Sequence, residues 1–247
     1  TECGVPCLFG TVMCLSVTST DRVCATVSRL SAPTPHTLFI ENRVDRAARL
    51  FSAYDRPLVF RQSPLAPPQL EAFLDARGWR RFDETIVMAG SIADLDIDGG
   101  MDHLPMRDIG RYVDASISVH GRDTALKAGL TEVLSSIRPP SGLFVIEDGK
   151  SGPVSTALCV HDNDMAGLFE LATRADKRRA GHGRDVIRAA LRWARHRGAE
   201  TAWMQVESPN PAALALYASI GFQESYRDAA RHTSAAVRAW LLSTSDP

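Results

Sequence analysis

"RRAGHGRDVIRAAL", residues 178–191, decides how this chain is read. Two arginines and a Gly-His-Gly stand directly ahead of apolar residues at helical spacing. A helix N-terminus leaves its first amides unpaired and carries about half a positive charge. Glycines at 181 and 183 let the backbone turn so that successive N–H groups converge on one point. An anion belongs on such a cradle, and a diphosphate fits it. Arg179, Ala180, Gly181, His182, Gly183 and Arg184 would supply the amides, and Arg178, Arg179 and Arg184 would add charge. Between Arg174 and Arg197 there are nine Lys/Arg against two Asp, a local surplus of seven positive charges. A solvated helix face explains part of that surplus. It does not explain the glycine loop.

Two rival anion loops fit less well. A dinucleotide fingerprint needs a third glycine three residues past the second, where this chain has Val186, and a βαβ unit around it. A phosphate loop of the nucleotide-hydrolase kind needs Gly-Lys-Ser/Thr, which the stretch lacks. The strands ahead of the loop read instead as an antiparallel meander. "GLFVIED" (142–148) and "PVSTALCVHD" (153–162) are joined by the hairpin signal "GKSG", and "LFELAT" (168–173) follows after a second turn.

Working outward, the helix after the loop runs over 183–197. It sets Ile187, Ala190, Leu191 and Ala194 on one stripe and Arg184, Arg188, Arg192 and Arg195 on another. "TAWMQVE" (201–207) is a strand, "NPAALALYASIG" (210–221) a helix closed by glycine, and "FQESYR" (222–227) a final strand. Residues 229–242 have the pattern of an added amphipathic helix. Ahead of the meander, helices are expected at 107–119 and 123–138, the second stopped by Pro139–Pro140. The acidic, glycine-containing "ADLDIDGGMDH" (93–103) reads as a linker between lobes. The first lobe carries two short strands within 8–28, a helix at 41–56, a strand at 57–60, a helix at 67–79 and a strand at 83–92.

The halves echo one another. "DRAARLFSAYDRPLVFRQSPLAPPQLEAFLDARGW" and "IRAALRWARHRGAETAWMQVESPNPAALALYASIGF" both run helix, strand, Ser-Pro, helix, Gly-aromatic. A duplicated unit accounts for this order. The first copy has no Arg-x-x-Gly-x-Gly, and Leu74 stands where the second has Tyr217. The anion loop therefore belongs to the second copy alone, and the expected division is 1–97, 98–226 and a tail, 227–247.

Composition bounds the rest. The chain has 247 residues, 45% hydrophobic and 23% charged, with a formal net charge of −1. That is the range of a soluble globular protein, and no global charge points to nucleic acid or an anionic membrane. The five cysteines (3, 7, 14, 24 and 159) form no CxxC pair and no Cys/His zinc spacing. No metal is expected, and reduced thiols in a cytoplasmic protein are. The apolar run 7–17 is too short to span a membrane, and no basic segment precedes it.

On Arg178, Gly181 and Gly183, then Asn210, Ala213, Leu216 and Tyr217, then Gly221–Phe222, the sequence resembles the GNAT superfamily of N-acetyltransferases. The resemblance covers 140–226. It implies an α+β fold with a mixed, mostly antiparallel sheet flanked by helices, and makes residues 1–97 a degenerate GNAT-like lobe in a tandem arrangement. It implies acetyl-CoA as co-substrate, its diphosphate on the amides of 179–184. The pantetheine arm would lie along the main chain of Leu171, Ala172 and Thr173, in a splay between the strands at 168–173 and 201–207, and touch Asn210. Tyr217 would protonate the departing thiolate, as a phenol of pKa ~10 can. A main-chain amide near Leu171 would polarise the thioester oxygen. The reaction implied is direct attack of a primary amine in a ternary complex, by a monomer or homodimer.

A base for the amine is not fixed by motif. Glu170, ionisable within "GLFELAT", is the first candidate and Glu207 the second; Glu170 could equally be an arginine's ion-pair partner. The helices at 107–138 would shape the acceptor side and hold Asp108, Asp114, His120, Asp123 and Glu132. Cys159 reads as a packed small residue and His182 as solvent-facing. The acceptor stays open, and so does a second class of function, a non-catalytic module that binds acyl-CoA.

Overall fold

The computed structural model describes residues 13–17, 23–27, 37–53, 58–64, 66–100, 102–208 and 210–232. The chain divides into two compact units, Thr1–Ile86 with Tyr226–Pro247, and Val87–Ser225.

In the first unit β1 (Met13–Val17) pairs antiparallel with β2 (Val23–Val27). Helix α1 (Thr37–Ala53) follows, and β3 (Phe60–Gln62) then lies parallel to β2. Next comes α2 (Pro68–Ala76), with proline in its first turn, where the missing N–H costs nothing. Val44, Ala47 and Phe51 of α1 pack with Leu70, Phe73 and Leu74 of α2 and with Phe60 and Trp79. Each such large side chain contributes about 2 kcal/mol through burial. The chain leaves this unit within β4 (Arg80–Ser91) and returns within β9 (Gln223–His232). There β9 pairs antiparallel with β3, Phe60 opposite Arg231.

This corrects one expectation. Residues 229–232 continue a strand and do not begin a helix; 233–242 lie outside the described residues. Arg231, within that stretch, is 2% exposed. It donates to Gln62 at 2.5 Å and pairs with Glu71 and Asp75 of α2, so its charge is matched within the unit. Arg61 is held likewise, by Asp228 at 2.8 Å and by Thr85.

In the second unit the strand order is β4-β8-β7-β6-β5. Strands β5 (Ser141–Asp148), β6 (Gly152–Asp162) and β7 (Met165–Thr173) form the expected antiparallel meander. Strand β8 (Thr201–Glu207) is parallel to β7. Helix α3 (Ile109–His120) is capped by Asp108, whose side chain accepts from the Arg111 amide, and a 3-10 turn leads into α4 (Lys127–Ser136). Tyr112, Val113 and Ile117 of α3 pack with Leu134, Leu143 and Leu158. Helix α5 (His182–Arg195) buries Ile187, Ala190, Leu191 and Ala194, the stripe read from the sequence. Helix α6 (Pro211–Ile220) starts on Asn210.

The acidic stretch 93–103 is part of the second unit rather than a free linker. Ile92, Leu95 and Ile97 are buried. Its carboxylates answer the arginine stripe of α5: Asp96 pairs with Arg184 and Arg188, Asp102 with Arg192, and Asp98 with Arg195. Among the described residues no helix is long and apolar enough to cross a membrane.

Candidate active site

The end of β7, the loop before α5 and the start of α6 meet around a cleft of about 600 Å³. Backbone geometry explains why it opens there. Strands β7 and β8 pair from Met165–Thr201 to Leu168–Met204 and no further. Two residues past Leu168, Glu170 has φ +50, and the β6–β7 register shifts between Thr156 and Leu158. Such a bulge turns the strand and ends regular pairing. Leu171, Ala172 and Thr173 consequently line the cleft, while Thr173 and Ala172 keep their register with Ser155 and Thr156 of β6.

The loop closes one end of the cleft. Gly181 caps α5 with φ +93, a conformation L side chains rarely adopt, and Arg179 has φ +66. Among the described residues, no main-chain carbonyl accepts from the amides of Arg179 to Arg184; the first to be used in this turn is Asp185, which donates to Gly181 O at 3.0 Å. Gly183 lets the helix start close to β7: a Cβ there would stand 3.1 Å from Thr173 Oγ1 and 3.3 Å from a Leu216 methyl.

Of the residues singled out from sequence, Arg178, Arg179, Gly181, His182, Gly183, Arg184, Asn210 and Tyr217 all line this cleft together with the three of β7; Ala180 does not. His182, read as solvent-facing, is half-buried against it. The cations divide by partner. Arg178 Nε donates to Thr173 O at 3.4 Å. Arg184 is turned to Asp96 at 3.2 Å and donates to Ser219 at 2.7 Å, so its guanidinium is already held. Asn210 spends its side-chain oxygen capping α6, accepting from Ala213 N at 3.1 Å. Tyr217 is 7% exposed, and burial pushes its phenol up to about 12.

Glu170 does not line the cleft. Its carboxylate receives Arg122 Nη1 at 2.6 Å and Nη2 at 3.3 Å, and Ser116 Oγ at 3.1 Å. Burial pushes its pKa up, but the Arg122 guanidinium and the Ser116 hydroxyl outweigh that and hold it below the usual carboxylate range. Glu207 is exposed and stands away from the cleft. His120, named from sequence only among possible cation-attracting groups, does line it. Its Nε2 lies 3.6 Å from Glu170 Oε2. Cys159 is fully buried on β6, its thiol pushed up to about 12 by desolvation, which suits packing rather than nucleophilic attack. No cluster of three or more metal-ligating side chains occurs among the described residues.

Residues 119–222 match the model of the Acetyltransferase (GNAT) family. The chain is 30% identical over 111 residues to the uncharacterized N-acetyltransferase YobR of Bacillus subtilis, covering 45% of this chain and 44% of that one. It is 41% identical over 61 residues to the [ribosomal protein bS18]-alanine N-acetyltransferase of Escherichia coli K12, covering 25% and 41%. The chain thus spans less than half the length of these curated relatives. In fold it resembles a GCN5-related N-acetyltransferase from Kribbella flavida, with a TM-score of 0.64 at 18% identity over 85% of this chain and 80% of that one.

Proposed function

Since residues 119–222 match the model of the GNAT acetyltransferase family, we propose that this chain moves an acetyl group from acetyl-CoA to a primary amine within a ternary complex. The observation that carries the reading is the pairing of two free main-chain sets on one cleft. One is the edge of β7 beyond Leu168, where partnering with β8 stops. The other is the run of amides from Arg179 to Arg184. The first suits the amide-bearing pantetheine arm, the second the diphosphate.

The chemistry follows from that placement. The amine attacks the thioester carbonyl carbon, with the developing oxyanion facing a main-chain amide near Leu171. The C–S bond then breaks, and Tyr217, a neutral phenol throughout the neutral range, gives its proton to the thiolate. Holding amine and thioester side by side supplies most of the rate. Arg178 and Arg179 add positive charge at the diphosphate end.

We read residues 1–97 as a degenerate second copy. An antiparallel strand pair, a helix, a parallel strand, a helix and a strand recur in both halves, as β1-β2-α1-β3-α2-β4 and β6-β7-α5-β8-α6-β9. The test is calorimetric titration with CoA, then thiol release from acetyl-CoA against a panel of primary amines. Binding with amine-dependent thiol release is expected. Binding without turnover on any amine would favour the non-catalytic module, and no binding would overturn both readings.

A further inference from the structure

We propose that His120 is the base that takes the proton from the attacking amine, with Glu170 fixed behind it as the positioning counter-charge. This rests on the acetyltransferase reading above and assigns it a residue that the motif left open.

His120 is the last residue of α3 and borders the same cleft as Leu171 and Tyr217. Its Nε2 is screened from solvent and has no hydrogen-bond partner. A buried ring nitrogen left unpaired costs roughly 1–3 kcal/mol, a cost a fold retains where a ligand supplies the partner. Glu170 Oε2 stands 3.6 Å from this same nitrogen, too far for a hydrogen bond but within reach of a charge. Glu170 cannot swing away, because Arg122 and Ser116 bind the same carboxylate. The bulge that gives Glu170 its φ of +50 separates it from Leu171, so acid cluster and coenzyme edge come from consecutive residues of one strand.

The charged groups acting on the imidazole are Arg122, in the turn after α3, and Glu170, on β7; Tyr112 of α3 faces the same carboxylate. Burial and Arg122 lower the His120 pKa, against the opposing pull of Glu170. At pH 7 the ring is therefore neutral and able to accept. In the step proposed, the amine nitrogen's lone pair forms the C–N bond as an N–H proton passes to Nε2. The resulting imidazolium faces Glu170, the C–S bond breaks, and the thiolate takes the Tyr217 proton. Proton and charge balance, and no further reactant is needed.

The experiment compares wild type, His120→Gln and Glu170→Gln with acetyl-CoA and the best amine of the panel, from pH 6 to 9.5. CoA affinity measured on each variant reports that the cleft is intact. For His120→Gln the expected result is unchanged CoA affinity, kcat lowered roughly 10²-fold at pH 7, and disappearance of the acid limb of the pH–kcat profile that His120 protonation sets. Glu170→Gln is expected to move the acid limb of the wild-type pH–kcat profile to lower pH, since the imidazolium loses its counter-charge. A His120→Gln enzyme with wild-type kcat and profile overturns this assignment alone. So does a His120→Gln profile that keeps the wild-type acid limb, or a Glu170→Gln acid limb that stays in place. A wild type that turns over no amine overturns the acetyltransferase reading, and this assignment with it.

Discussion

Arg122 holds Glu170 through both ends of its guanidinium, Nη1 to Oε2 at 2.6 Å and Nη2 to Oε1 at 3.3 Å. Both side chains are largely shielded, at 13% and 16% exposure. The residue that looked from sequence like the base is thereby held as an anion, and its neighbour His120 is left with no hydrogen-bond partner at Nε2.

Replacing Arg122 by Met leaves that carboxylate buried without its cation. The expected cost is about 3 kcal/mol, read as a drop in the urea midpoint at unchanged slope. The pH dependence has a defined sign. In wild type the Glu170 pKa is lowered, so its contribution is complete above the ordinary Glu value, ~4.3, and is lost as pH falls through the depressed one. In the variant burial is opposed only by Ser116 and His120, so the Glu170 pKa rises from its wild-type position and acidification should narrow the stability gap between variant and wild type. An Arg122→Met/Glu170→Gln double variant should regain most of the loss; if it is no more stable than Arg122→Met, the pair is not the cause.

Gly181→Ala tests the amide cradle. At φ +93 an alanine is strained by about 1–2 kcal/mol. Relief of that strain would turn the amides of the loop away from one another. The expected outcome is a CoA Kd raised roughly tenfold or more by calorimetry, with only a small fall in melting temperature. Unchanged affinity would mean that the loop amides do not grip the coenzyme.

Tyr217→Phe removes the phenol oxygen and keeps the ring that packs at the end of the cleft. If Tyr217 protonates the thiolate, kcat falls by about 10²-fold while CoA affinity holds. Burial has raised the phenol to about 12, so wild-type activity should show no decline from Tyr217 ionisation up to pH 10. A descending limb near pH 9–10 that disappears in Tyr217→Phe would contradict that state.

Much of the half around the anion loop was legible because its signals are local. Gly181, Gly183, the closing glycine at 221 and the apolar stripe of α5 each depend on neighbours within a few residues, whereas Asn210, read only as a ligand contact, turned out to cap α6. What the sequence withheld depends on long-range pairing. Arg231 and Arg61 carry no motif, yet each is buried against acids that arrive from far along the chain. The role of Glu170 turned on Arg122, 48 positions away, and no periodicity reports such a pair. His120 was visible only as one of several polar residues on two helices. It became distinct once the fold set the end of α3 on the cleft. The stretch 93–103 looked like a linker because its glycines and acids were visible, while the burial of Ile92, Leu95 and Ile97 was not.

Asp96 offers the last test, because it holds Arg184 beside the proposed diphosphate site. It accepts from Arg184 at 3.2 Å and from Arg188 at 2.5 Å, and it is 47% exposed. A pair this open is worth at most about 1 kcal/mol, so Asp96→Asn should cost little stability. It removes a negative charge from beside the anion cradle and frees one cation that borders it. CoA should then bind about two- to threefold more tightly at low ionic strength, with the gain vanishing near 0.5 M salt as screening shortens to a few ångströms. Arg184→Ala, by the same logic, should weaken CoA binding no more than about threefold, since Asp96 and Ser219 already occupy that guanidinium. A tenfold or greater loss in Arg184→Ala, or weaker binding in Asp96→Asn, would show instead that Arg184 leaves Asp96 to clamp the diphosphate directly.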